Sequence, residues 1–168
     1  MTVATVGALP AGPEPGVAAR SAVAGDRAGG ASTRPAGTGN APHAASVFYA
    51  MDDSLGLIFL SKPSSLHGEH IGDRASVAAT VSEGYEDWEK IQGVQLWGEA
   101  RRLRGAARAR GLAVYLGKFP FVKDILKRPG MASLLTGMGV YRLQPRRLSL
   151  TDNTTGVFGR EVLDLVVE

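Results

Sequence analysis

The chain contains no cysteine, which excludes disulfides, thiolate metal centres and cysteine nucleophiles. No apolar run approaches the length of a membrane-spanning helix. The opening MTVATVGALPAGPEP has neither a basic n-region nor a long apolar h-region, so it does not read as a secretory signal. Residues 1–43 are rich in Ala and Arg, as transit peptides are, but Glu14 and Asp26 interrupt them, and a cytoplasmic location is expected. The net charge of +3 is too small to imply a nucleic-acid partner by itself. Signature motifs are missing as well: there is no G-x-S-x-G, no G-x-x-x-x-G-K-[ST] and no H-E-x-x-H. TGMGVYR (136–142) contains G-x-G without the strand–helix context of a dinucleotide site.

What is present divides the chain in two. Of the 36 residues 7–42, 23 are Gly, Ala or Pro and none is aromatic. Such a segment cannot bury enough apolar area to offset its ordering entropy, so disorder is expected. It reads either as a leader or as an insertion in a hairpin whose first arm is Thr2–Val6. From Pro42 the pattern tightens. Residues 44–51 alternate like a strand, 52–56 have turn chemistry and Leu57–Ser61 is a second strand, which makes a hairpin. Residues 64–73 read as a short helix behind Pro63, capped by Ser64. Residues 75–82 and 92–100 are strands around an acidic loop at 84–90. A helix is expected over 99–119 and another over 120–128, ended by Pro129-Gly130. Residues 131–138 are ambiguous, and 139–143, 146–152 and 161–167 are strands. About seven strands in hairpin order with two or three helices favour a mainly β class, an antiparallel barrel with helices outside.

The richest stretch chemically is IFLSKPSSLH (58–67). A strand ends in Ser61, Lys62, Ser64 and Ser65 and then starts a helix, which gathers hydroxyls, an ammonium and backbone N–H groups in one place. That combination suits a phosphate, although an ordinary capped helix needs only one of the serines. His67 and His70 share one helical face, but two histidines do not make a metal site and no metal is expected. His67 suits a hydrogen bond to a phosphate or sugar chain, and His70 a surface position. Ala45, Ser46 and Tyr49 lie on a strand whose small residues would let a flat ring approach the backbone. Gln95 shares a strand face with Trp97 and could bond the edge of a heterocycle. Arg101, Arg102, Arg104, Arg108 and Arg110 spread around a helix and have no aromatic among them, so a solvated face is favoured over a nucleic-acid surface.

The ordered set TVATVG, PHAASVFYA, LIFLSKPSSLH, VAATV, IQGVQLWGEA, YLGKFP and YRLQPRRLSLTDN resembles the pyridoxamine 5′-phosphate oxidase-like family of flavin-binding split barrels. The resemblance covers 43–168 and the first strand. It implies one antiparallel split-barrel domain over 1–168, with 43–168 as its main body and 7–42 as an expansion of the first hairpin loop. It further implies a homodimer with FMN at the interface, acting as a flavin-dependent oxidoreductase on a small-molecule substrate. By this resemblance Ser46, Val47, Phe48, Tyr49, Leu60 and Ser61 line the ring and ribityl chain. Lys62, Ser65 and His67, from the Ser-rich turn onward, grip the phosphate, and Gln95 reaches the flavin from the same or the partner subunit. The residues that hold pyridoxal phosphate in true oxidases of that vitamin are not recognisable, so that activity is not implied. Split barrels of this type also bind the deazaflavin F420 or haem. A reading of another class is a non-catalytic module using the basic 101–110 helix.

Overall fold

The computed structural model describes residues 3–8, 43–82, 84, 86–156 and 160–165. Among these residues eight strands form one antiparallel sheet: β1 (Val3–Ala8), β2 (His43–Val47), β3 (Tyr49–Met51), β4 (Leu57–Ser61), β5 (Arg74–Ser82), β6 (Gln92–Arg102), β7 (Gly139–Asp152) and β8 (Arg160–Asp164). The helices are α1 (Leu66–Ile71), α2 (Gly105–Lys118), α3 (Pro120–Leu126) and α4 (Ala132–Gly137), with single 3-10 turns at Trp88–Lys90 and Asn153–Thr155. Among the described residues no helix is long and apolar enough to cross a membrane.

The strand order is β2-β1-β5-β6-β7-β4-β3, with β8 added outside on β7. The two ends of that order, β2 and β3, are separated only by Phe48. One run of chain therefore pairs with β1 through its first half and with β4 through its second, and the sheet closes on itself. Counting β2 and β3 as one broken strand, the ring has six members, a split β-barrel. Closure removes the exposed edges that an open sheet would offer.

Alternation sorts the side chains. Leu57 and Phe59 point inward with Val77, Ala79, Leu96, Ala100, Tyr141 and Leu143, and Ile71 of α1 joins them. Phe59 and Tyr141 stack at 5.3 Å. Burying a ring such as Phe59 contributes on the order of 3 kcal/mol. Outward, Ala50, Ile58 and Val140 meet Leu103 and Tyr115, so α2 packs against the outside of the barrel.

Several boundaries differ from the sequence reading, each for a local reason. β1 continues through Gly7 and Ala8, which pair with Ala44 and His43, so two residues of the expected 7–42 insertion belong to a strand; 9–42 lie outside the described residues. The helix expected over 99–119 starts only at Gly105, because Ala100–Arg102 remain paired with β7. The basic 101–110 segment is thus split between strand, turn and helix. Arg104 pairs with Asp73, and Arg108 donates to the carbonyls of Leu135 and Met138. The two strands expected on either side of Pro145 are one strand. It tolerates the proline because the register shifts there: Pro145 faces Gly98 and Arg147 faces Trp97, which leaves Arg146 as the bulged residue. The last expected strand, 161–167, is seen as Arg160–Asp164, and 166–168 lie outside the described residues.

Candidate functional site

β4 delivers its last residue, Ser61, to one end of the barrel, where α1 packs. Ser61 is 5% exposed. Its Oγ lies 2.5 Å from His67 Nε2 and 3.0 Å from Ser65 Oγ. Ser65, not Ser64, caps α1: its hydroxyl accepts from the Gly68 N–H and donates to the Lys62 carbonyl at 2.6 Å. Gly68 is buried, and a side chain there would run into that same carbonyl. The loop and the helix are therefore locked together, and α1 is only six residues long rather than the expected ten. Lys62 and Ser64 stay exposed beside the knot.

His67 is half-buried. Burial holds its imidazole below the ordinary range, and a proton on His43 or His70 would push it further down. His43, the first residue of β2, stacks on His67 with ring centroids 6.0 Å apart and meets the His70 ring edge-on at 6.2 Å. Burial and His70 lower His43 as well. Among the described residues no group of His, Asp or Glu has the arrangement of a metal centre.

Two residues back along the same ribbon, Tyr49 pairs with Phe59. Tyr49 is half-buried, burial raises its phenol, and Lys118 Nζ sits 4.5 Å from its ring centroid. Phe48, at the break between β2 and β3, is 41% exposed and touches Phe119 edge-on. The motif YLGKFP thus supplies Tyr115, Lys118 and Phe119 to an aromatic cluster around the closing strand. Val47 faces the barrel interior, Leu60 packs on the α2 side and Ser46 is exposed on the outer face.

Of the ten residues expected at a cofactor, Ser61, Lys62, Ser65 and His67 converge, and Phe48 and Tyr49 lie on the neighbouring stretch. Gln95 does not join them. It is on β6, which in the six-membered ring is three strands from β2–β3 in either direction, on the far side of the barrel. There it stands opposite Ser149, whose buried Oγ has no hydrogen-bond partner among the described residues. The positions of His43, Lys118 and Ser149 are not legible in the sequence. His43 begins a strand more than 20 residues before His67, and only the pairing of β1 with β2 brings it to α1.

No family model matches the chain. Its sequence is similar to that of a UPF0306 protein of Klebsiella pneumoniae subsp. pneumoniae, 36% identical over 119 residues that cover 70% of this chain and 73% of that one. It is also similar to UPF0306 protein YhbP of Escherichia coli O157:H7, 31% identical over 120 residues, covering 71% and 74%. Solved structures share the fold at low identity. General stress protein 26 of Bacillus anthracis aligns with TM-score 0.53 and 12% identity over 97% of this chain and 88% of its own. A heme binding protein of Mycobacterium smegmatis aligns with TM-score 0.59 and 18% identity over 96% of this chain, which spans 52% of that protein's length. A related protein of Clostridium acetobutylicum, described as of the pyridoxinephosphate oxidase family, aligns with TM-score 0.53. The fold is that of the split barrels in this group, and by its sequence relatives the chain belongs to the UPF0306 family.

Proposed function

We propose that the chain binds FMN and acts as a flavin-dependent oxidoreductase, as a homodimer. The observation that carries this reading is the position of the hydroxyl–imidazole knot relative to the aromatic stretch. Ser61, Ser65 and His67 stand at the end of β4, and the exposed Lys62 follows Ser61 in the chain. Tyr49 pairs with Phe59, two residues or about 7 Å back along that strand. A ribityl chain bridges that span, with the phosphate at the knot and the ring against Phe48 and Tyr49. The donor set suits a doubly charged ester: a lysine, serine hydroxyls and an imidazole, with no carboxylate among them.

Bound flavin would supply the hydride or electron transfer. The chain's part is to hold and orient it: Ser61, Lys62, Ser65 and His67 at the phosphate, Phe48 and Tyr49 at the ring, with Lys118 fixed over Tyr49. Gln95 lies across the barrel from this site, so it serves the site of a second copy, where its amide can both donate and accept. Dimerisation follows from that division of labour.

The three imidazoles favour one competing ligand, haem, because neutral imidazole ligates iron. The likeness to a heme binding protein of the same fold gives that reading its second support. The visible spectrum of the freshly purified protein, with the mass of any ligand released from it, distinguishes the cases. Flavin absorbance, or quenching of FMN fluorescence on titration, is expected. A Soret band would favour haem, a released deazaflavin would identify F420, and a colourless protein that leaves FMN fluorescence unchanged would overturn the proposal.

A further inference from the structure

All three histidines of the chain meet at the α1 end of the barrel, although one lies on β2 and two on α1. His67 is tied to the buried Ser61, its ring lies flat against His43, and His43 meets His70 edge-on. We infer that His43, His67 and His70 form a proton-gated site for a doubly charged oxyanion, a phosphate monoester or sulfate, whose binding draws protons onto the imidazoles. The inference rests on the phosphate-binding reading of the same knot and extends it to His43 and His70.

The argument is electrostatic. His43 lies 6.0 Å from the His67 ring and 6.2 Å from the His70 ring, so charge on one imidazole opposes charge on its neighbour, and burial further disfavours a proton on His43 and His67. Left alone, His43 and His67 are therefore biased toward their neutral forms. An anion at its edge reverses the sign of that field, since opposite charge favours the protonated form. Binding and proton uptake are then linked, and affinity rises as pH falls, by about tenfold per pH unit for each proton taken up.

Other charged groups lie on the elements packed around the cluster. The described part of β1 carries no titratable side chain, and β2 contributes His43 alone. Around α1, Arg74 of β5 pairs with Glu99 of β6, and Asp73 pairs with Arg104. Arg101 and Arg102 end β6, Glu69 lies exposed on α1, and Lys62 is in the loop. The charges that act on His67 are those of His43 and His70.

The test is calorimetric titration of the full chain with sodium sulfate, which stays doubly charged across the range, in buffers of different ionisation enthalpy. The expected result is net proton uptake on binding and an affinity that rises roughly tenfold per pH unit as pH falls through the imidazole range. His43→Gln and His70→Gln, each checked for unchanged fold by circular dichroism, should each flatten that slope. Absence of sulfate binding at every pH, binding without proton uptake, or an unchanged slope in both variants would overturn the inference. Sulfate bound with a pH-independent affinity by a protein that still binds FMN would overturn it too, yet leave the flavin reading standing. Sulfate bound with proton uptake by a protein that ignores FMN would do the reverse.

Discussion

Ser61 Oγ and His67 Nε2 lie 2.5 Å apart, which ties the last residue of β4 to the second residue of α1. The contact holds the imidazole where it is partly desolvated and faces two other histidines. Burial and these neighbours lower the pKa values of His67 and His43, so the folded protein binds fewer protons here than the unfolded chain. Stability should then fall as pH drops below about 6.5, the unperturbed imidazole value. Urea unfolding of ligand-free protein at a series of pH values measures this. His43→Gln should reduce the loss between neutral and mildly acidic pH, whereas an unchanged pH dependence in that variant would show that the cluster is not its source.

Gln95 and the Ser61–His67 knot sit on opposite sides of one barrel, so under the proposed function a complete site takes two copies. Ser61→Ala and Gln95→Ala should each weaken FMN binding when homodimeric. Refolding the two variants together should restore part of the tight binding, because mixed dimers carry one intact site. Fluorescence titration of the mixture reads the outcome, and no recovery would place Gln95 outside the site.

Asp52 anchors the β3–β4 turn to β7. Its carboxylate accepts from Arg142 Nε at 2.6 Å and Nη2 at 3.2 Å, and from the N–H groups of Ser54 and Gly56. Burial alone would raise its pKa, but the Arg142 bond, the two amide bonds and the arginine charge together lower it. Its contribution is therefore present at neutral pH and is lost as pH falls through the lowered value. Asp52→Asn should cost about 2 kcal/mol at neutral pH, and the difference should shrink in acid. Denaturant midpoints at both conditions check the sign.

Gly98 faces the bulge of β7 so closely that a Cβ would collide with the Gln144 carbonyl. Gly98→Ala should destabilise the fold by about 3 kcal/mol, the upper end for overpacking. Gly137, near which a Cβ would meet nothing within 4 Å, is the comparison. Gly137→Ala should be neutral or slightly stabilising in the same thermal melts.

Much of the barrel is legible in the residues themselves. The alternation of Leu57, Phe59 and Ser61 against Ile58 and Leu60 marks a strand with two different faces, and its turn chemistry announces the hairpin. Helix starts are harder. Ala100–Arg102 have helix-forming composition, yet ladder pairing with β7 holds them in the strand, and the helix begins only at Gly105, whose φ is 51°. Ser64 and Ser65 are equivalent as caps by type, and only the Gly68 N–H chooses between them. The site shows the same split. Ser61, Ser65 and His67 are close in sequence, so their convergence can be read locally. His43 reaches them, and Gln95 is kept from them, only through strand order, which no local pattern encodes.

The central claim is that the Ser61–Ser65–His67 knot recognises a phosphate ester, and riboflavin, which is FMN without its phosphate, isolates that claim. Fluorescence titration of the full chain with each should show FMN binding roughly a hundredfold more tightly than riboflavin, a gap of about 3 kcal/mol. Ser61→Ala should close most of that gap by weakening FMN alone. Equal affinities for the two flavins, or a Ser61→Ala variant that weakens both alike, would contradict the account.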